Sequence, residues 1–235
     1  MTEYGDFVKG ATVLVTGANR GLGQAFAAMF LKAGAAKVYA GVRDLSTLQD
    51  SRLVPVTLDV TSRRDIDAAA ALCRDVDILI NNAGIMIGTP VLADTADDAL
   101  HRELEVNLYG PLRMSKAFAP ILDANGGGAI INVLSVVSWF VNPLNHTYCI
   151  SKHAAQAATD ALRIELAGQG TRVLGVYSGF IDTDMGAVLS DGPKTSPDVI
   201  AELTLEGLRT GEALVLADER ARRVWQQTFR TDVLA

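Results

Sequence analysis

The sequence predicts an α/β fold, in which a single domain holds a doubly wound parallel sheet of about seven strands with helices on both faces. Short apolar runs of β type alternate along the chain with longer segments whose apolar residues recur at helical spacing. The runs are apolar throughout rather than alternating with polar residues, which indicates strands buried on both faces. Alternation of such strands with helices is typical of a parallel sheet whose connections cross over its faces.

The chain begins this alternation with a strand at 11–17, which ends in a glycine turn. The Ala-rich segment at 23–34 has apolar residues at helical spacing, and Gly34 ends it. Two further apolar runs of β type predict the second and third strands at 36–42 and 53–60.

The middle of the chain continues with a helix at 61–75, which begins with a Thr-Ser cap. The fourth strand, at 76–84, ends in another polar turn with glycine. A helix at 97–123 is expected to bend near Gly110, which precedes a proline, and a fifth strand follows at 128–135.

The last part of the chain carries a long helix at 148–167, closed by the sequence GQG, and a sixth strand at 171–179. A helix at 197–210 and a short strand at 212–217 complete the alternation. The sequence ERARR at 219–223 is interpreted as the solvated face of a helix. Polar and glycine residues follow several of the strands, at the sheet edge where such folds bind ligands.

Composition excludes several classes of function. The 235 residues carry a net charge of −6 and no long basic run, which argues against nucleic acid as a partner. No apolar run approaches the ~18 residues of a membrane span, and the first residues do not resemble a secretory signal, so a cytoplasmic protein is expected. Cys73, Cys149 and the histidines show no metal-ligand spacing, so no metal site is predicted.

The sequence TGANRGLG at 16–23 places glycines at 17, 21 and 23, between a predicted strand and a predicted helix. Such a turn lets backbone amides approach a phosphate, and the N-terminus of the helix favours its negative charge. The spacing is Gly-x-x-x-Gly-x-Gly rather than Gly-x-Gly-x-x-Gly. The alternative is an ordinary tight turn between a strand and a helix.

A tyrosine and a lysine, Tyr148 and Lys152, stand four residues apart in the sequence HTYCISKHAA, so that one helical turn places both side chains on one face. A free phenol has a pKa near ~10, and a neighbouring cation would lower it. The pair is therefore interpreted as a device for proton transfer at neutral pH, the alternative being an accident of surface chemistry.

Taken in order, these motifs resemble the short-chain dehydrogenase/reductase family, over nearly the whole chain. The motifs are TGANRGLG at 16–23, Asp59 with Val60, NNAG at 81–84, Ser135, and Tyr148 with Lys152. The resemblance implies a Rossmann-type domain, a nicotinamide cofactor, and a catalytic set that maps onto Asn107, Ser135, Tyr148 and Lys152.

The resemblance implies a role for each of these four residues. Tyr148 would donate a proton to a carbonyl oxygen as hydride reaches the carbon, and Ser135 would hydrogen-bond the same oxygen. Lys152 would also hold the nicotinamide ribose, and Asn107 would hold a water of the proton relay. Ser138 competes with Ser135 for the serine role, and Asn107 could instead be an amide on a helix surface.

Further residues are expected to contact the cofactor by their match to the family: Gly17, Asn19, Arg20, Gly21, Leu22, Gly23, Asp59, Val60, Asn81, Ala83, Gly84, Tyr148, Lys152, Gly179, Ile181 and Thr183. NADP(H) is expected in preference to NAD(H), which stays possible. Val42 stands where NAD-binding relatives carry an acid, and Arg43 next to it can take the 2′-phosphate, with Arg20 approaching from the other side. In the alternative interpretation Arg43 pairs with Asp44, or Asp44 binds the ribose.

The sequence also departs from the family. Ser178 replaces the usual proline before Gly179, and 184–196 is short for a substrate lid. A substrate wall is expected from Val137, Trp139, Phe140, Phe180 and Met185. Such a wall favours an aromatic or aliphatic ketone, or a secondary alcohol, over a sugar.

The prediction is an NADP-dependent carbonyl reductase or alcohol dehydrogenase that acts on a small molecule. The alternatives are an NAD-dependent alcohol dehydrogenase of the same family and a non-catalytic, nucleotide-sensing regulatory protein on the same fold. Epimerases and dehydratases on this fold usually run longer. Family members pair helices equivalent to those at 98–123 and 148–167, so a homodimer or homotetramer is expected.

Overall fold

The computed structural model describes residues 7–187 and 193–229, which form one parallel sheet of seven strands with helices on both faces. The strands are β1 Thr12–Thr16, β2 Lys37–Val42, β3 Val54–Thr57, β4 Ile78–Asn81, β5 Ala129–Val133, β6 Arg172–Tyr177 and β7 Leu214–Leu216. The α-helices are α1 Gly21–Lys32, α2 Arg63–Leu72, α3 Ala96–Leu104, α4 Gly110–Ala124, α5 His146–Leu166, α6 Asp184–Ala187, α7 Pro197–Thr210 and α8 Glu219–Thr228. The predicted fold class is confirmed.

The strands lie in the order β3-β2-β1-β4-β5-β6-β7. All are parallel, and the side on which the chain adds successive strands changes at β1. The chain builds outward from β1 to the edge strand β3 and then returns to place β4 on the other side of β1. Ligands of open α/β sheets bind at such a switch point, beside the carboxyl ends of the strands. The topology therefore brings the turns that follow β1 and β4 together.

The core has two layers because the inner strands are buried on both faces. Val13 and Val15 of β1 pack in one layer with Phe26 of α1, and residues of α7 complete it. Leu14, between them, points into the other layer, where it packs with Phe118 of α4. Successive side chains of a strand point to opposite faces, so a strand that is covered on both faces has a continuous apolar sequence.

The edge strand β3 departs from that expectation. Its Val54 and Pro55 are exposed, and only Val56 of the strand is buried. The strand ends at Thr57, three residues before the predicted end at 60, because the chain then turns toward the start of α2. A proline is tolerated in a strand that has a neighbour on one side only.

The helix predicted at 97–123 contains a wider turn. A π-helical turn, Glu105–Tyr109, separates α3 from α4, and Pro111 follows in the first turn of α4. π-Helical turns inside α-helices are frequent at functional sites. Here the turn lies beside the carboxyl end of β4, and it carries Asn107.

Candidate active site

Two turns meet at the switch point and are joined by side chains. The Thr16 hydroxyl donates to the Ile80 carbonyl at 3.2 Å and accepts from the backbone amides of Asn82 and Ala83, both at 3.0 Å. The Asn82 amide in turn donates to the carbonyls of Thr16 at 2.9 Å and Gly17 at 3.3 Å. Neither Thr16 nor Asn82 is among the residues predicted to contact a cofactor. Their work is to hold the two turns together.

The glycine turn leaves the start of α1 open. Gly17 and Gly21 have φ of +67° and +53°, a region that side chains rarely adopt. A Cβ on Gly23 would clash with the Gly17 carbonyl oxygen. Within residues 7–187 and 193–229 no side chain caps α1, so the first backbone amides of this helix have no acceptor there. Such a helix N-terminus is an anion site.

The turn after β2 carries the predicted phosphate ligand. Arg43 is exposed, and among the described residues it has neither an ion pair nor a hydrogen bond, while Val42 before it is buried. The Asp44 carboxylate accepts from the backbone amide and hydroxyl of Ser46, at 2.9 and 2.7 Å, and these bonds lower the pKa of Asp44. The interpretation in which Arg43 pairs with Asp44 is therefore wrong.

Arg20, on the other side of the glycine turn, forms an ion pair with Asp184 of α6 at 3.0 Å, and both side chains are exposed. Thr183 lies against the same turn, since its methyl group would be 3.1 Å from a Cβ on Gly21. The short segment predicted as a lid, 184–196, begins with α6, and its residues 188–192 lie outside the described residues.

Of the residues predicted to contact the adenosine, Asp59 lies in the turn after β3, whereas the Asn81 side chain lies inside the protein. The Asp59 carboxylate accepts from the amide and hydroxyl of Thr61 at 2.9 and 2.7 Å, and Val60 packs against Gly110. The Asn81 side chain is buried between β4 and β5 and donates to Asn132 at 2.9 Å, while its own oxygen has no hydrogen-bond partner in the part of the chain that the structure describes. A cofactor in the turn would therefore meet the backbone of Asn81 rather than its amide.

Three of the four predicted catalytic residues meet beyond the end of β5. Ser135 is buried there, and its hydroxyl lies near enough to the phenol of Tyr148, in the first turn of α5, to lower the pKa of that phenol. The Ser135 hydroxyl itself donates to the Ser178 carbonyl at 3.5 Å. Lys152 is buried one turn further along and lies 5.7 Å from the centre of the Tyr148 ring. Its ammonium donates to the Val133 carbonyl at 2.9 Å. The two side chains share one face of α5, as their spacing predicts.

Burial dominates the electrostatics of this pair. It raises the pKa of Tyr148, and the charge of Glu103 and then Cys149 raise it further, while the hydrogen bond from Ser135 lowers it. Burial also lowers the pKa of Lys152 to about 8. The expectation that Lys152 lowers the pKa of Tyr148 is wrong for this structure, because Lys152 directs its ammonium at Val133 and the phenol is itself desolvated.

Asn107 is buried, so the interpretation of a surface amide is wrong. Its side-chain oxygen accepts from the Ile85 amide, and its nitrogen donates to the Ile85 carbonyl, both at 2.9 Å, and to Ser151 at 3.0 Å. A cavity of about 10 Å³ lies between Asn107 and Lys152, close to the minimum that holds one water.

The two candidate serines differ in position. The Ser135 hydroxyl lies near the phenol of Tyr148. The next residue, Val136, donates its backbone amide to the Ser178 carbonyl, after the end of β6, at 3.0 Å. Ser138 is buried, and its hydroxyl has no hydrogen-bond partner among the described residues. Of the two serines, Ser135 is the one whose hydroxyl lowers the pKa of Tyr148.

Part of the predicted substrate wall is engaged in packing. Trp139 stacks on Tyr177 with ring centres 4.1 Å apart and also contacts Trp225 of α8 at 5.1 Å. Val137 and Phe140 belong to the same apolar cluster. Phe180 lies under the guanidinium of Arg220, also on α8, while Met185 is 43% exposed.

The helix α8 therefore reaches the site, although its sequence is typical of a solvated helix. Asp218 precedes it and accepts from the amides of Gly179 at 2.6 Å and Ala221 at 2.7 Å. Gly179 belongs to the turn after β6, so this carboxylate joins α8 to that turn. Ile181 continues from there and bridges to Thr195. The sequence signal for α8 is the pair Trp225 and Phe229, which lie four residues apart on one helical face.

Two absences hold for residues 7–187 and 193–229. None of their helices is both long and apolar enough to cross a membrane. No group of three or more His, Cys, Asp or Glu side chains among them could hold a metal ion.

Known proteins with similar sequences and structures form one group. The family model for short chain dehydrogenase matches residues 11–194. The dehydrogenase/reductase SDR family protein 7-like of Drosophila melanogaster is 33% identical over 246 residues, covering 98% of this chain and 73% of the fly protein. The NADP-dependent 3-hydroxy acid dehydrogenase of Schizosaccharomyces pombe is 29% identical over 235 residues, covering 89% of this chain and 91% of the yeast protein. A solved short chain dehydrogenase from Burkholderia cenocepacia J2315, in complex with NADP, is similar with a TM-score of 0.91 and 38% identity, covering 96% of this chain and 95% of the bacterial one.

Proposed function

The chain belongs to the short-chain dehydrogenase/reductase family of oxidoreductases, and we propose that it transfers hydride reversibly between NADPH and the carbonyl carbon of a small ketone or aldehyde. In the reductive direction the substrate would gain a C–H bond and an O–H bond as its carbonyl π bond breaks. The hydride would come from a C–H bond of NADPH, which would become NADP⁺, and the proton from the O–H bond of Tyr148. In reverse, a secondary alcohol is oxidised. The observation that carries this proposal is that Tyr148 and the buried Lys152 share one face of α5, 5.7 Å apart from ring centre to ammonium, with the Ser135 hydroxyl near the phenol.

The residues at the switch point fit a dinucleotide. The start of α1 has no side-chain cap, and glycines at 17, 21 and 23 keep side chains away from it, so a pyrophosphate can reach the backbone amides. When bound, the reduced cofactor supplies the hydride. The residues of this chain bind it, orient the carbonyl and deliver the proton.

Proton delivery falls to Tyr148. Because burial raises the pKa of its phenol, Tyr148 is protonated at neutral pH and can donate to the carbonyl oxygen as negative charge develops there. Ser135, whose hydroxyl lies near the phenol, would donate a second hydrogen bond to the same oxygen. Lys152 and Asn107 border a cavity with room for a water, which supports a route for replacing the proton.

NADPH is proposed as the preferred cofactor because of Arg43. Its guanidinium is exposed and has no partner among the described residues, whereas the Asp44 carboxylate is already engaged with Ser46. A 2′-phosphate would give Arg43 a charge-assisted pair, while a ribose diol would gain little from a carboxylate that holds a turn. The NADP in the related bacterial structure and in the name of the yeast relative supports this choice.

We further propose an enzyme of the carbonyl reductase or alcohol dehydrogenase type that acts on an apolar substrate, forms a homodimer or homotetramer, and lies in the cytoplasm. A non-catalytic nucleotide sensor is the alternative. That alternative predicts cofactor binding without turnover. The partly buried Tyr148 beside the buried Lys152 argues against it, since a sensor needs no group for proton transfer.

The test is a panel of aromatic ketones, aliphatic ketones and sugars, assayed with NADPH and with NADH by the nicotinamide absorbance. Turnover of apolar ketones with NADPH is expected. Tight NADPH binding with no turnover of any panel member would favour the sensor. Turnover of sugars above ketones would contradict the proposed apolar wall.

A further inference from the structure

We infer that Glu103 is a positioning residue of this active site. Together with Asn107 it fixes the segment 85–88 against the helix α3, and it places a negative charge beside the first turn of α5, which carries Tyr148. The inference rests on the proposed function insofar as Tyr148 transfers the proton.

Glu103 is fully buried, which is unusual for a carboxylate. One of its oxygens accepts from the amide of Ile87 at 2.7 Å and from the amide of Gly88 at 3.0 Å. The other oxygen has no hydrogen-bond partner among the described residues. A buried carboxylate with a bare oxygen is costly, and packing alone would be better served by an apolar side chain.

Asn107 completes the arrangement four residues later, on the same helical face. It exchanges two hydrogen bonds with the backbone of Ile85, and Glu103 accepts two more from Ile87 and Gly88. The segment 85–88 belongs to no helix or strand. The side chains of Glu103 and Asn107 thus provide the backbone hydrogen bonds that a neighbouring strand would otherwise give to this segment.

The segment held in this way touches the start of α5. Gly88 has a φ of +72°, and a Cβ there would lie 2.8 Å from the Cβ of Asn145. Thr89 donates its amide to the Thr147 hydroxyl at 3.0 Å, and the Thr147 amide donates to the Thr89 carbonyl at 3.1 Å. Tyr148 is the next residue, so a shift of 85–88 reaches it directly.

The charge of Glu103 acts on the same helix turn. Among the described residues, the titratable groups that act on the phenol or lie beside it are Glu103 on α3 and Cys149 and Lys152 on α5. The Ser135 hydroxyl, after the end of β5, acts on it as well. After burial, the charge of Glu103 is the next cause that raises the pKa of Tyr148. Removing that charge therefore lowers the pKa of Tyr148. Reduction of a carbonyl, which needs the protonated phenol, would then decline at a lower pH, and oxidation of an alcohol would begin at a lower pH.

Three variants of the full chain separate these roles. Glu103→Gln keeps a carbonyl oxygen for Ile87 and Gly88 but removes the charge. Glu103→Leu removes both. Asp98→Asn removes an exposed carboxylate from the same helix and is the matched control.

Two readouts are needed, and the first does not depend on activity. Amide hydrogen exchange at 87 and 88 should accelerate about tenfold or more in Glu103→Leu and remain close to the unmodified protein in Glu103→Gln and Asp98→Asn. The second is the pH profile of kcat for a ketone with NADPH. It should move to lower pH in Glu103→Gln and stay in place in Asp98→Asn.

Unchanged exchange in Glu103→Leu, or an unmoved pH profile in Glu103→Gln, would overturn the inference. Should Glu103→Leu fail to fold, the profile of Glu103→Gln still decides. Should the unmodified protein reduce no ketone at all, the proposed function fails, and the exchange measurement alone decides whether Glu103 holds the segment.

Discussion

The two sides of the switch point are built in different ways. On the proposed cofactor side, the turns after β1 and β4 are adjacent in the sheet and are joined by Thr16 and Asn82. On the proposed substrate side, Trp139 lies between Tyr177 of β6 and Trp225 of α8, from three distant parts of the chain. A site made of backbone turns can be predicted from short stretches of sequence. A wall made of side chains depends on which remote segment packs against it.

The largest expected effect falls where the two sides meet. Tyr148→Phe removes one hydroxyl and should lower kcat by roughly 10²–10⁴-fold, the usual contribution of general acid catalysis. NADPH affinity should stay unchanged, because the cofactor side remains intact. Steady-state kinetics and a fluorescence titration with NADPH would measure the two quantities.

Tyr39→Phe is the matched control, since the Tyr39 hydroxyl bonds Asp75 at the opposite end of the sheet. Its kcat should match the unmodified protein. A loss below tenfold in Tyr148→Phe would mean that another group donates the proton.

A second prediction uses the buried cation at the same boundary. Burial lowers the pKa of Lys152 from 10.5 to about 8, so between these values the unfolded chain holds a proton that the folded chain has released. Burial of the charged ammonium therefore lowers the free energy of unfolding at pH below 8, and this loss disappears as the pH rises to 10.5. Lys152→Met should be more stable than the unmodified protein by up to about 3 kcal/mol below that window, and the gap should close across it.

Denaturant unfolding at a series of pH values would measure this difference. Lys32→Met, at an exposed lysine of α1, should show no such dependence on pH. A constant difference for Lys152→Met would show that its ammonium stays charged inside the protein, so that the assigned cost of burial is wrong.

The third prediction bears on the cofactor side alone. Arg43→Ala should lower kcat/KM for NADPH about tenfold or more, the worth of one charge-assisted contact, and leave kcat/KM for NADH unchanged. Arg52→Ala is the control, because Arg52 is already paired with Asp50. If Asp44→Ala weakened NADH use, or if the unmodified protein preferred NADH, Asp44 would be the ribose ligand.

The smallest effect is expected on the substrate side. Asp218→Ala removes the cap of α8 and should cost about 1 kcal/mol, or roughly 2–4 °C in Tm. Because α8 supports Trp139 and the turn at Gly179, the KM for ketones should change more than the NADPH affinity.

The α7 cap provides the comparison, since Ser196 accepts from the amide of Asp198. Ser196→Ala should lower Tm to a similar extent and leave the KM for ketones unchanged. Equal KM values in the two cap variants would mean that α8 takes no part in shaping the site.

The sequence is informative where a residue type has a local reason. The glycines of 16–23 are needed by the turn itself, and the spacing of Tyr148 and Lys152 follows from the pitch of a helix. The seven strands, and their burial on both faces, could likewise be predicted from their local apolar runs, except at β3. Its exposed residues depend on where the sheet ends, which local sequence does not show.

Other features depend on tertiary contacts and could not be predicted. Because Trp139 comes shortly after Ser135, its position predicts that it lines the substrate pocket. Its ring instead packs on Tyr177 and on Trp225 of α8, which lies far along the chain from it. Glu103 has the sequence context of an exposed helix charge, yet it is fully buried against 85–88. The pKa of Tyr148 rises rather than falls because burial outweighs a cation that is directed elsewhere.

The measurement that tests the account most directly follows one hydrogen atom. NADPH deuterated at the transferred position is incubated with a reactive ketone, and the alcohol is analysed by mass spectrometry. The account predicts one deuterium on the carbinol carbon of the product from the unmodified protein. From Tyr148→Phe under the same conditions, labelled alcohol should form at least about a hundredfold more slowly, although that variant binds NADPH equally well. Labelled alcohol formed at the same rate by both proteins, or NADPH consumed without label in the product, would contradict it.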